Sequence, residues 1–577
     1  MAMMTSCSKG MAAGRCGSGS QTFTLPLLLL VVAVGFLLRL HQIGADSLWI
    51  DEAFSIWLAE HPLDGMISWV RSVDHHPPLY YVLLHGWTSI FSVGEGGASM
   101  TVAARMTLST RVLSALFGVL AIPVIYLLGR RMADERVGVI SALILALSPF
   151  HVRFAQEARM YSLLTLFALL AMCAFVELYA QRVSGGSHVM DRSPFSRSAK
   201  GSGTSASPGA GRRSPLPWIG YVASMAAMLW THNTALFFPI AANLVVLIDA
   251  WRRDRPLSSA SADAATALGI SRPGRAPWLR RWLVAQVAVL ILWLPWFPSL
   301  VSQAADVYRR FWLPAPTLGK VLSIVGAFLW DSSPGPFLLT IVVDAGLIAL
   351  ALFGLRNLHR RFGYATLLGV VFVAPFVGQW IVSLWRPILS ARTLSWASIP
   401  LYLMIAAGVS RLGENGPYHL LSRGATLAAV VALMGTSGAA LSNYYATSER
   451  ESWDDAAALV AERIQPDDLL LFNDAWGQIP FDYYFHQLYN PESGASVVEH
   501  GLPVDLFDRG VLEPQMTVQD LPRLRMLVDG RRRVWLVYSH QWYTDPDGLI
   551  PQALASTLDL HRRWMFRGLQ VHLYARD

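Results

Sequence analysis

The sequence predicts a polytopic α-helical membrane protein with about eleven transmembrane helices and a small soluble α/β domain at its C-terminal end. Three observations carry this. Hydrophobic residues make up 53% of the 577 and charged residues only 15%, where a soluble domain is nearer one quarter charged. Mean hydropathy is +0.39. Apolar runs recur from residue 22 to residue 442, and the pattern turns polar from Asn443. The 21 tryptophans and 25 phenylalanines suit membrane interfaces. Three cysteines, Cys7, Cys16 and Cys173, argue against a disulfide framework.

Residues 1–21 are rich in Gly, Ser and Met and read as a disordered cytoplasmic tail. The run at 22–40 is long for a signal-peptide core, and no small-residue cleavage site follows, so it reads as the first span. Ten further runs fall near 111–129, 137–154, 161–181, 217–231, 234–250, 282–300, 337–355, 364–385, 394–410 and 424–442. The run Leu79–Val93 is short, holds His85 and follows Pro77-Pro78, so it reads as a helix lying in the interface. The first outer loop then extends over 44–105 within a membrane domain of 22–442. Low-complexity segments at 183–216 and 254–278 read as flexible cytoplasmic inserts.

Charge sets the orientation. Arg130, Arg131 and Arg136 follow the second span, and Arg252, Arg253, Arg280 and Arg281 flank the insert after the sixth. Every second loop is basic, which assigns those loops to the cytoplasm. Eleven spans then place the domain at 443–577 outside. That domain holds 12 Lys and Arg against 20 Asp and Glu, and the remainder holds 34 against 19. The basic excess therefore reports topology rather than nucleic-acid binding. Within the outer domain, Ser452-Trp453-Asp454-Asp455 opens a helix with Ser452 as N-cap. Runs at Leu469–Phe472, Val534–Tyr538 and Val571–Tyr574 read as strands.

The organising stretch is Ser47-Leu48-Trp49-Ile50-Asp51-Glu52-Ala53-Phe54, with two adjacent carboxylates just beyond the first span. Ionisable groups at a bilayer boundary are costly unless paired or used. A shielded carboxylate there can act as a general base. Three more polar groups fall on the same side: Asp74-His75-His76-Pro77-Pro78, the segment from Arg153 through Glu157 and Arg159 to Tyr161, and Arg386 with Arg392. Thr231-His232-Asn233 faces outward as well. Adjacent histidines on extended chain point apart, which disfavours a metal pair at His75 and His76. Arginines in such a setting either snorkel to headgroups or hold a phosphate in fork geometry. No Walker loop, dinucleotide-binding glycine fingerprint or Cys/His zinc spacing is present.

The segments LWIDEAFS, DHHPPLYYVLLHGW, RVLSALFGVLAIPVIYLLGRR and SPFHVRFAQEARMYSLL resemble glycosyltransferase family 39 of the GT-C superfamily. That family includes protein O-mannosyltransferases and the aminoarabinose transferases of lipid A. The resemblance covers about residues 45–180. The later SARTLSWASIPLYLMIAAGV is similar to the family's arginine-bearing segment, with Thr393 where relatives often carry Tyr. The resemblance implies transfer of a sugar from a polyprenyl-phosphate donor to a lipid, glycan or protein hydroxyl at the outer face of a cell membrane, with inversion. It implies Asp51 as base and Glu52 as its support. It implies His76, Arg105, Glu157, Arg159, Tyr161 and Arg392 as substrate and donor-phosphate ligands. It requires no cofactor and leaves a divalent metal possible. A transporter of a lipid-linked sugar is the rival reading, but no internal repeat points to one, and the polar clusters named above sit at span ends.

Overall fold

The computed structural model describes residues 19–74, 76–91, 102–184, 214–254, 275–306, 316–330, 337–358, 364–385, 387–413, 419–447, 450–489, 497–505 and 514–576. His75, Arg386, most of the N-terminal tail and most of both low-complexity inserts lie outside these residues. The first half of the chain forms α1 (Gly19–Leu40), α2 (Ile50–Glu60), α3 (Leu63–Ser72), α4 (Leu79–Phe91), α5 (Val102–Met132), α6 (Glu135–Leu147), α7 (Pro149–Ala155), α8 (Tyr161–Ser184), α9 (Leu216–Leu229) and α10 (Phe237–Asp254). Among the described residues, 8 helices are long and apolar enough to cross a bilayer, or 9 with the bent α6–α7 pair. Shorter apolar helices cover Thr24–Leu40, Leu216–Leu229 and Leu318–Trp330. All eleven predicted runs are helical. Leu318–Trp330 is an additional apolar helix of 13 residues, too short to register as a span from sequence.

The run at 137–154 is not one straight helix. It breaks by 59° between α6 and α7. Pro149 lacks the N–H that would bond Leu145 O, and it sits at the first position of α7, where proline is tolerated. The buried Arg39 of α1 replaces the missing donors. Its Nη2 donates to Leu145 O at 3.1 Å, and its Nη1 donates to Ala146 O at 3.1 Å. The Ser148 hydroxyl caps α7 by accepting from His151 N at 3.3 Å. Through this break the chain delivers Arg153 and the turn 156–160 to one end of the bundle.

The helix Ser398–Leu412 runs through the middle of the membrane domain, buried from Ser398 to Ser410. It packs against Phe337–Leu358 at Gly354 and Gly408. A Cβ at Gly354 would lie 2.0 Å from Met404 O, and one at Gly408 would lie 2.1 Å from Leu350 O. Small residues permit this backbone approach, a recurrent basis of helix pairing in lipid.

The C-terminal domain is a five-stranded sheet in the order β2-β1-β3-β5-β4. β1 is Leu469–Phe472, β2 Val498–Gly501, β3 Arg533–Ser539, β4 Asp559–Phe566 and β5 Leu569–Ala575. The first three are parallel and β3, β5 and β4 antiparallel. The three predicted strands are β1, β3 and β5; β2 and β4 were not expected. Both are edge strands with polar faces, where the apolar signal is weak. Alternation sorts the core. Leu470, Phe472, Trp535 and Val537 join the core shared with the membrane helices, whereas Leu469, Leu471, Val534 and Leu536 form a separate cluster on the far face.

The domain docks on the first loop. The Tyr484 hydroxyl accepts from Leu48 N at 2.9 Å, and Phe54 meets Trp476 edge-on at 4.6 Å. Ser452 occupies the N-cap position of helix Trp453–Arg463, but its side chain makes no cap bond. The hydroxyl of Ser47 serves instead, accepting from Asp454 N at 3.4 Å.

Gly354→Val and Gly408→Val should force the central helix pair apart. The expected outcome is loss of monodisperse protein in detergent and a lowered thermal-aggregation midpoint. Gly424→Ala, whose surroundings are open, should leave both unchanged.

Candidate active site

The two adjacent acids at the start of α2 have different surroundings. Glu52 is fully buried. Its Oε1 accepts from Arg111 Nε at 2.9 Å and from Ala158 N at 2.8 Å, and its Oε2 accepts from Arg111 Nη2 at 2.8 Å. Arg450 Nη1 approaches the same Oε2 at 3.5 Å. Arg111 spends its remaining donors on Ile43 O, Asp46 O and Ser47 O, at 2.9, 2.9 and 3.1 Å. All five guanidinium donors are therefore used. Burial works to raise the Glu52 carboxyl, but Arg111 and Arg450 outweigh it and hold it below its ordinary range. Glu52 has both oxygens engaged away from solvent, so its part is positioning.

Asp51 keeps 30% of its side chain exposed. Arg392 Nη1 donates to its Oδ2 at 2.8 Å, and Arg159 Nη2 lies 3.8 Å from the same oxygen. Burial works to raise this carboxyl too, yet Arg159, Arg392 and His76 together hold it below the ordinary carboxylate range. Asp51 is thus ionised at neutral pH. Arg159 is buried, and its Nη1 donates to Asp51 O, the Ser55 hydroxyl and the Tyr81 hydroxyl at 3.1, 3.0 and 3.3 Å. Its Nε is buried without a partner. Arg392 is 31% exposed on its side chain and lies 5.6 Å from the Trp49 ring centre.

His76 pairs with Asp74 through Nδ1 at 2.8 Å. Burial, the first influence on Asp74, is outweighed by His76 and Arg159, and the carboxyl falls to about 2. The His76 ring lies 5.1 Å from His232, which in turn lies 6.3 Å from the Tyr161 ring. His232 Nδ1 accepts from Thr234 N at 3.1 Å, which leaves the proton on Nε2, and Nε2 is buried without a partner.

Beside Asp51 a cavity of about 290 Å³ opens between Trp49, Arg153, Glu157, Arg392, Tyr444 and Arg450. Glu157 is raised by burial, which Arg153 and Arg450 offset only in part. Its Oε1 lies 3.6 Å from Arg153 Nε, and its Oε2 is buried without a partner. Gln156 fixes the adjoining turn. Its Nε2 donates to Arg39 O and His41 O, carbonyls left open at the end of α1, at 3.2 and 2.6 Å.

Of the predicted residues, Glu157 and Arg392 line this cavity, Asp51 and Arg159 adjoin Arg392, Glu52 bonds the turn beside Glu157, and His76 and Tyr161 flank His232. Arg105 falls in the first turn of α5, with its side chain outside the described part. Arg111, Arg450 and His232 are the participants that sequence reasoning did not assign. Arg111 opens one of the quoted motifs, an arginine beside an apolar run, and that signal was available. Arg450 carries none, since its partner Glu52 is 398 positions away.

Residues 70–211 match the family described as dolichyl-phosphate-mannose-protein mannosyltransferase. No curated protein sequence matches the chain. The structure is similar to that of ArnT from Cupriavidus metallidurans in the apo state, with a TM-score of 0.56 at 15% identity, covering 96% of this chain and 98% of that one. The same protein bound to undecaprenyl phosphate gives 0.52 at 14% identity, over 97% and 98% of the two chains. The archaeal oligosaccharyltransferase AglB from Archaeoglobus fulgidus, with an inhibitory peptide and a dolichol-phosphate, gives 0.54 at 14% identity, over 97% of this chain and 75% of that one. The chain shares its fold with ArnT and AglB over nearly its whole length, and residues 70–211 carry the match to the mannosyltransferase family. The similarity to ArnT runs over nearly the full length of both chains.

Glu52→Gln should cost stability rather than only rate, because it leaves a buried guanidinium incompletely paired. The expected loss is about 3–5 kcal/mol, read as a lowered thermal midpoint in detergent, with Asp51→Asn costing much less. The Glu52 carboxyl is depressed in the fold, so its contribution is present at neutral pH and lost as the pH falls through the folded value. Wild type should lose stability on acidification more steeply than Glu52→Gln.

Proposed function

We propose that the chain transfers a sugar from a polyprenyl-phosphate donor to an acceptor hydroxyl at the extracytoplasmic face, with inversion at the anomeric carbon. One observation carries the reading. A half-buried carboxylate, Asp51, is held between Arg159 and Arg392, and Arg392 lines a cavity together with Arg153 and Arg450. Arg392 with Arg153 and Arg450 supplies positive charge for a lipid phosphate. Arg159 is held inside the protein and positions Asp51. A phosphate that draws Arg392 away from Asp51 raises the proton affinity of that carboxylate. Asp51 then takes the acceptor proton as the hydroxyl attacks the anomeric carbon, and the bond to the phosphate oxygen breaks on the opposite face. A single displacement of this kind inverts the centre. The prenyl tail gains from burial among membrane helices.

The siting rests on geometry along the spans. Arg111 and Arg130 lie on α5, 19 residues apart, or about 29 Å along a helix. The basic cluster of Arg130, Arg131 and Arg182 thus lies at the helix ends remote from Asp51. Basic ends favour the cytoplasm, which supports an outward-facing site.

Asp51→Asn keeps the shape but cannot accept a proton. It should insert normally and lose ~10²–10⁴-fold in turnover, measured as labelled sugar transfer from a polyprenyl-phosphate donor in nanodiscs. Near-normal transfer would move the base elsewhere. Arg392→Gln removes a cation beside Asp51, so the acidic limb of kcat/KM should move to higher pH while donor KM rises. For the orientation, single cysteines at Ala133 and Asn443, with the native cysteines removed, should label from opposite sides with an impermeant thiol reagent. Labelling of both from one side would overturn the siting.

A further inference from the structure

On the far side of the docking helix Gln478–Leu488 from the membrane contact, three metal-ligating side chains converge. Asp482 and His486 stand four residues apart and share one helix face. Glu499 comes from the edge strand β2. Their ligand atoms all lie within 4.8 Å of one another. His486 Nε2 is 3.4 Å from Glu499 Oε1, and Gln478 Nε2 donates to Glu499 Oε2 at 3.2 Å. The Asp482 and Glu499 carboxylates thus face each other within 4.8 Å. Asp482 Oδ1 is buried with no hydrogen-bond partner.

Two carboxylates this close repel each other unless a proton or a cation lies between them. A shared proton would leave no reason for an imidazole nitrogen facing the pair and a buried oxygen without a donor. A cation satisfies all three atoms at once. We propose that Asp482, His486 and Glu499 form a binding site for a divalent transition metal, Zn²⁺ or Mn²⁺. One nitrogen and two carboxylate oxygens suit a borderline ion, with water completing the shell. Atoms around such an ion at about 2.1 Å sit roughly 3.4 Å apart. His486 Nε2 and Glu499 Oε1 already stand at 3.4 Å, and all the ligand atoms lie within 4.8 Å of one another. Gln478 orients Glu499 from outside the shell.

The site is distinct from the cavity at Asp51, and its role is structural. It pins the helix that carries Tyr483 and Tyr484 to the sheet edge, and Tyr484 bonds the backbone of the first loop. A bound metal would therefore stiffen the seat of α2 without touching substrate.

The test uses the full-length protein in detergent, stripped with a chelator and titrated with ZnCl₂ or MnCl₂. Metal content is read by mass spectrometry and stability by the thermal-aggregation midpoint. Wild type should bind one equivalent and gain several degrees. His486→Gln and Asp482→Asn should bind roughly tenfold or more weakly and gain little. His486→Gln changes an exposed residue and keeps the fold, so its result stands even if Asp482→Asn misfolds. No bound equivalent, or an equal gain in the variants, overturns the proposal. Wild type that ignores metal and is most stable at acid pH marks a shared proton and also overturns it. Activity is not read, so failure of the transferase reading leaves the result untouched.

Discussion

The buried pair between Glu52 and Arg111 is the interaction on which the end of the protein that holds Asp51 depends. Arg111 has no exposed surface, and its five donors all find acceptors, on Ile43, Asp46, Ser47 and Glu52. It closes the exit of α1 over residues 43–47, anchors the first turn of α2 and, through Glu52, reaches the backbone of Ala158. Arg450 brings the start of the C-terminal domain to the same carboxylate. A pair of this kind contributes little net stability over an apolar substitute, but breaking it leaves an uncompensated charge. Its effect is to fix where these segments meet.

Asp51 and Glu52 show how one peptide bond separates two chemistries. Both begin α2, where a negative charge meets the positive end of the helix dipole. The 100° step between consecutive helical residues turns one into the protein and the other toward the cavity. Full enclosure makes Glu52 a tether. Partial exposure leaves Asp51 available to an incoming hydroxyl in the proposed reaction, with Arg159 behind it and Arg392 in front. The arginines divide likewise: Arg159 is bound to backbone and hydroxyl oxygens, whereas Arg392 is half open and free to change partner.

Much of this was legible from the chain. Long apolar runs fix helices in lipid because the backbone there has no other partner, and all eleven runs proved helical. The acids after the first span, and Glu157, Arg159 and Arg392 at later span ends, gathered as expected. What escaped was set by tertiary partners. The break at Ser148 looks like uninterrupted apolar sequence until Arg39 is seen to satisfy Leu145 and Ala146. Strands β2 and β4 lie at polar edges, where alternation is blunted. Ser452 carries the pattern of an N-cap, but Ser47, over 400 positions earlier, takes the bond. Arg450 and the grouping of Asp482 and His486 with Glu499 depend on chain segments that only the fold brings together.

The arginine in the first span also bears on the order in which the protein is made. Arg39 leaves the ribosome as part of an otherwise apolar helix, with Gly35 O its one local acceptor. Its other acceptors, Leu145 and Ala146, lie 106 and 107 residues later. Until they arrive, a guanidinium near the end of α1 must remain hydrated at the bilayer edge, because a charge inside hydrocarbon is costly. The bonding of the first helix is thus complete only once the third apolar run has been made and its break at Pro149 has left the two carbonyls open.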